Sequence, residues 1–193
     1  MDLTQGSDEM KQARAKKMML WFAMISMTMT FAGLTSAYVV SSSRADWLSS
    51  FELPNQFLYS TLLILTSSIT FFLGKKALEK GKLALQKIFL WATLALTILF
   101  IYFQFTGFSE IISQGYYFTG AASSINTSFI YVLVLLHLAH VFGGLIVLSI
   151  VIIQTYRNAY SPDQKLGYEL AELFWHFLDF LWIYLYVFVT VYS

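Results

Sequence analysis

Five apolar runs, at 18–40, 55–73, 83–105, 128–156 and 168–192, constrain this chain more than any other feature of its sequence. Each is close to or above the roughly 20 residues that a helix needs to cross a ~30 Å hydrocarbon core. In lipid every backbone N–H and C=O must be satisfied within the segment, which leaves helices or a closed barrel. Unbroken runs of this length select the helix. Hydrophobic residues make up 58% of the chain and charged residues 12%, far from the balance of a soluble domain. The expected fold is therefore all-α: a polytopic membrane protein, a five-transmembrane-helix bundle spanning 18–193. A polar N-terminal tail, 1–17, precedes it. The first run starts too late and is too long for a cleaved signal peptide, so it reads as a retained helix.

Orientation follows from the cations. Of the 12 Lys and Arg residues, Lys11, Arg14, Lys16 and Lys17 lie in the tail, Lys75, Lys76, Lys80, Lys82 and Lys87 between the second and third runs, and Arg157 and Lys165 between the fourth and fifth. Arg44 alone falls on the other side, in a short loop with Asp46, Trp47 and Glu52. The positive-inside rule then places the N-terminus in the cytoplasm and the C-terminus outside. The 105–127 segment, which bears Gly, Ser and a single charge at Glu110, reads as an outer loop. A formal charge of +1 argues against nucleic acid as a partner, and the absence of cysteine excludes disulfides and thiolate sites.

The last run carries what polar chemistry there is. Glu169, Glu172, His176 and Asp179 fall at i, i+3, i+7 and i+10, within about 80° of arc on one helical face. Each charge at bilayer depth costs on the order of 2.5–3.5 kcal/mol, so this face packs against a polar partner rather than lipid. The fourth run holds His137 and His140. Counting ~1.5 Å per residue from the run ends puts His137 level with Asp179 and His140 level with His176, so the two polar faces are expected to meet. These groups fit a buried polar network that fixes helix packing. They also fit a haem held by two histidines, as in a membrane anchor of a dehydrogenase, or a His/carboxylate metal site. Glu169 fits either a helix-start carboxylate or a group that collects protons or contacts lipid. Ser and Thr in the first three runs, and Gln104, read as helix–helix hydrogen bonds. No nucleophile, phosphate-binding or zincin motif is present, so no catalytic or metal-ligating residue is assigned.

The residues also carry a resemblance. Glu169, then Trp175-His176-Phe177-Leu178-Asp179 and Trp182, closely resembles the last-helix signature of subunit III of haem-copper terminal oxidases, with Leu178 where the family has Val. Gly167-Tyr168, the His137-Leu138-Ala139-His140-Val141 segment with Gly144, Ser128 and Gln104 also fit that family. Two departures stand out. The longer members have seven helices and this chain resembles the last five, which puts in question the lipids held between the first two helices and the rest. Met27 stands where members often carry a carboxylate.

The resemblance implies a non-redox supporting subunit of a proton-pumping oxidase in a bacterial inner membrane. It would bind no cofactor directly, with haem and copper in the partner subunits I and II, and would take phospholipid. Its six polar groups, His137, His140, Glu169, Glu172, His176 and Asp179, would form a buried polar network with candidate proton or lipid contacts, the histidines serving packing rather than ligation. The enzyme would reduce oxygen with electrons from cytochrome c, the alternative being a quinol-oxidising relative. A transporter, which broken helices and inverted repeats would favour, finds neither feature here.

Overall fold

A computed structural model describes residues 8–44, 47, 53–120, 124–162 and 164–192. Asp46 and Glu52 of the outer loop lie outside the described residues. Five helices follow in order: α1 Asp8–Ser41, α2 Asn55–Glu79, α3 Leu83–Ser113, α4 Ile125–Tyr156 and α5 Leu166–Tyr192. All five are long and apolar enough to cross a membrane.

The helices outrun the apolar stretches that announce them. α1 begins inside the polar tail, α2 continues through Lys75 and Lys76, and α3 extends through much of the segment expected to be an outer loop. The reason is that a helix satisfies its own backbone in water as well as in lipid, so the bilayer surface gives it no cause to stop. What stops it is turn chemistry. Gly81, Gly115 and Asn158 take the left-handed φ of 67°, 89° and 53° at the C-termini of α2, α3 and α4. At each, two backbone bonds close the end, as in Gly81 N–H to Leu78 O and Lys82 N–H to Ala77 O, both 2.9 Å.

α2, α3, α4 and α5 form a ring in which each packs on the next, and α2 closes on α5; α1 lies outside against α4 and α5. Each interior seam repeats alternately by three and four residues. On α2 it is Phe57, Ser60, Ile64, Ser67, Phe71, Gly74 and Leu78. On α3 it is Gln86, Leu90, Thr93, Thr97, Phe100, Gln104, Gly107 and Ile111. A 3.5-residue repeat keeps one face turned to its neighbour only if the helices coil left-handedly about one another. Small and polar residues on these seams let backbones approach and give the helices something to hold, since lipid offers no hydrophobic force between spans. Outward, Trp21, Phe22, Ile69, Ile88, Ile98, Ile146 and Phe180 are exposed, the apolar exterior that a lipid solvent calls for.

The polar groups pair across almost every contact. Gln104 donates to Ser60 at 2.8 Å and Thr70 meets Thr93 at 2.8 Å, joining α2 to α3. Gln86 reaches Thr155 at 3.3 Å and Trp91 reaches Tyr156 at 3.1 Å, joining α3 to α4. Tyr38 donates to Asn126 Oδ1 at 2.6 Å and Thr35 meets Tyr184 at 2.8 Å, tying α1 to α4 and α5. Trp47 stacks edge-on against Tyr38 at 4.8 Å.

Candidate functional site

The six polar residues singled out above do not converge on one another as expected. The α5 stripe faces α2. Lys75 Nζ donates to Glu172 Oε2 at 2.6 Å. Glu172 Oε1 lies 3.8 Å from His176 Nε2, one turn further along α5. On the other side of that ring, Nδ1 meets the Ser68 hydroxyl at 2.5 Å. Ser68 in turn neighbours the carboxyl of Asp179, which is only 3% exposed. Two tryptophans interleave with this line: Trp175 donates to Ser67 Oγ at 3.2 Å and Trp182 to Thr61 Oγ1 at 2.9 Å. Tyr168 adds a bond to the Phe71 carbonyl at 3.2 Å. Most of the signature on α5 is thus a strip that docks on one face of α2.

The histidines of α4 go elsewhere. His137 is wholly buried between Trp182, with ring centroids 5.1 Å apart, and Phe100, at 6.2 Å edge-on. Neither its nitrogens nor the Asp179 oxygens have a hydrogen-bond partner, so His137 and Asp179, expected within reach directly or through one water, make no direct bond. His140 turns Nδ1 to the Leu136 carbonyl of its own helix at 2.8 Å and lies 5.7 Å from the Phe31 ring of α1. The register explains the miss. Gly144 sits against Leu178 and Trp175, and His137 against Trp182, about one turn away from the expected pairing. Depth had been counted from run ends, but α4 is 32 residues long, about 48 Å, and overshoots a ~30 Å core.

Glu169 is half-buried at the entrance of α5, its carboxylate 3.8 Å from Lys165. Lys165 donates to Glu79 at 2.5 Å, clamping the α5 entrance to the end of α2, and that hydrogen bond holds the ammonium above its ordinary range. Ser68 and Lys75 are the members that sequence reasoning did not single out. Their signal was present: they stand seven residues apart on α2, one step off the Ser60–Ser67–Gly74 seam. Among the described residues no group of three or more His, Asp or Glu could hold a metal ion.

The class defined by this geometry is a polytopic helical membrane protein whose spans are laced by polar pairs. Residues 5–193 match the family model of cytochrome c oxidase subunit III. The chain is 28% identical to cytochrome c oxidase subunit 3 of Alkalihalophilus pseudofirmus over 184 residues, 94% of this chain and 87% of the relative. It is 30% identical to the probable cytochrome c oxidase subunit 3 of Nocardia farcinica over 177 residues, 90% and 84% of the two chains. It is 32% identical to cytochrome bo(3) ubiquinol oxidase subunit 3 of Pseudomonas putida over 175 residues, 89% and 82%. The chain belongs to the cytochrome c oxidase subunit III family.

Proposed function

We propose that this chain is subunit III of a haem-copper terminal oxidase of aerobic respiration, a supporting subunit with no redox centre of its own. It borders subunit I, with subunit II in the same complex, in a bacterial cytoplasmic membrane; haem and copper belong to those partners. It takes phospholipid and supports proton uptake and the working life of the enzyme. Cytochrome c is the proposed donor, with a quinol-oxidising complex as the alternative. The observation that carries this reading is the family match over residues 5–193. The bis-histidine haem anchor loses its geometric support. His137 lies between Phe100 and Trp182, His140 bonds its own helix, and His176 bonds Ser68, so the three rings serve three different neighbours.

Removing the chain from its complex is expected to leave the haem and copper spectrum intact. Turnover should slow most at alkaline pH, where free protons are scarcest, because Glu169 and Glu172 at the inner end of α5 are lost. The active lifetime should shorten as well. Haem content, initial rate across pH and decay of activity, with and without the subunit, make the measurement. Loss of a haem band on removal would sink the proposal.

The proposed orientation, N-terminus in the cytoplasm and C-terminus outside, is supported by the Lys/Arg asymmetry. A reporter active only in the cytoplasm should be silent when fused after Ser193. A strong signal there reverses the topology.

A further inference from the structure

We propose that the α2–α5 seam is a proton-binding file that opens at the Lys75–Glu172 pair and ends at Asp179, which stores the proton. The file deepens the proposed function by naming the groups involved, and it rests on that reading only for which side of the membrane feeds it.

Three features of the seam carry the inference. First, the acceptors and donors form one line. Lys75 occupies Glu172 Oε2 and leaves Oε1, buried and without a hydrogen bond, on the side of His176. The imidazole engages its two nitrogens in opposite directions, Nε2 toward Glu172 and Nδ1 on Ser68, which is the arrangement that lets one ring take a proton on one side and release another on the other. Two gaps interrupt the line: 3.8 Å between Glu172 and His176, within reach of a small torsion of the glutamate or of one bridging water, and the step from the neighbouring Ser68 hydroxyl to Asp179, whose oxygens hold no hydrogen bond.

Second, the line has an open end and a closed one. The side chains of Lys75 and His176 are 24% and 36% exposed and that of Glu172 7%, whereas Asp179, beyond them, is 3% exposed and neither oxygen has a hydrogen bond. Outward of Asp179 the next polar group on α5, Trp182, is already committed to Thr61. Third, among the described residues no cation pairs with Asp179, which has only the Ser68 hydroxyl beside it. The charged groups and histidines on the helices around it are Lys75, Lys76 and Glu79 on α2, with Lys75 spent on Glu172; His137 and His140 on α4; and Glu169, Glu172 and His176 on α5. Among the described residues, α1 and α3 carry charged side chains only toward their ends. A carboxyl so placed is far cheaper neutral than ionised.

The transfer balances as one proton moved. A proton from water adds to Glu172 Oε1 and passes to His176 Nε2. The ring releases its Nδ1 proton to Ser68 Oγ, and the Ser68 hydroxyl proton passes to the Asp179 carboxylate. Rotation of the hydroxyl and return of the imidazole to its first tautomer reset the line, with Asp179 neutral and every carrier at its starting proton count.

Infrared difference spectroscopy on the intact membrane complex isolated through this chain tests the file. The wild type should show a protonated-carboxyl band that Asp179→Asn removes and that shifts promptly in D2O. Ser68→Ala should slow that shift by at least about tenfold, because exchange must then await local opening of the bundle. Ser68→Thr, which keeps the hydroxyl, should restore it. His176→Leu should match Ser68→Ala, and retention of the chain in the complex is scored for every variant. If Asp179→Asn removes no band, Asp179 holds no proton and the proposal falls. If the band exchanges equally fast in Ser68→Ala and Ser68→Thr, the route is wrong. The haem spectrum of the same preparation reports separately on the proposed function.

Discussion

Lys75→Met is expected to cost the bundle about 3–5 kcal/mol, and Lys75→Met combined with Glu172→Gln to recover most of that loss. The Lys75–Glu172 pair is 2.6 Å long, with Glu172 almost wholly buried. Removing the cation strands a carboxylate that has lost its charge partner and, at Oε1, has no hydrogen bond. His176 at 3.8 Å is a weak substitute, already engaged by Ser68. The reciprocal change is milder. Glu172→Gln leaves an ammonium whose long stem can carry it to the interface, so this single variant should lose roughly 1–2 kcal/mol. That asymmetry is diagnostic: a pair that merely decorated the surface would give losses below about 1 kcal/mol from either side. The midpoint of thermal unfolding in bilayers, with the amount of chain inserted, makes the comparison. Equal, small losses for both single variants would show that Glu172 is hydrated and the pair unimportant.

Five spans were legible because apolar length is a direct physical requirement of the bilayer, and the described residues form five helices suited to it. Helix ends were less legible, because Gly81, Gly115 and Asn158, rather than the change from apolar to polar residues, close the helices. The error in ends became an error in register, and so His137 was matched to Asp179 when it packs on Trp182. The stripe on α5 was legible as a face needing a polar partner, but the partner was sought among the other histidines. The structure puts it on α2, where Lys75 supplies the positive charge that a neutral imidazole cannot. Ser68 and Lys75 went unread because serine and lysine are common near membrane helices. Their meaning lies in a seven-residue spacing, visible only once α2 is known to face α5.

The docking strip also explains why aromatic and ionisable groups alternate on α5. Trp175 and Trp182 fill the space over α2 and spend their only donors on Ser67 and Thr61. They hold the two helices at the distance at which His176 reaches Ser68. Packing and protonation chemistry here are one arrangement: the tryptophans set the gap that the polar line bridges.

Gly107→Leu is expected to break the α2–α3 hairpin and leave little folded protein, whereas Gly33→Leu should be tolerated. A Cβ built on Gly107 would lie 2.7 Å from Phe57 Cε2 and 3.0 Å from Cζ, closer than real side chains approach. Phe57 cannot step aside. It is 1% exposed, edge-on to Phe108 at 6.1 Å and stacked with Trp182 at 6.3 Å, itself held by Thr61. Even Gly107→Ala should therefore cost about 1–3 kcal/mol, the usual range for overpacking a full core, despite alanine's better helix propensity. At Gly33 no atom lies within 4 Å of an added Cβ, so the same substitution meets only open space. Shortening the obstacle should rescue the defect: Phe57→Leu with Gly107→Ala should be less destabilised than the sum of the two single changes, the coupling expected of residues in direct contact. The yield of inserted chain and its thermal midpoint, measured for the wild type, Phe57→Leu, Gly107→Ala and the double variant, decide the matter. Additive losses would mean that Gly107 and Phe57 do not touch and that the hairpin is packed in a different register.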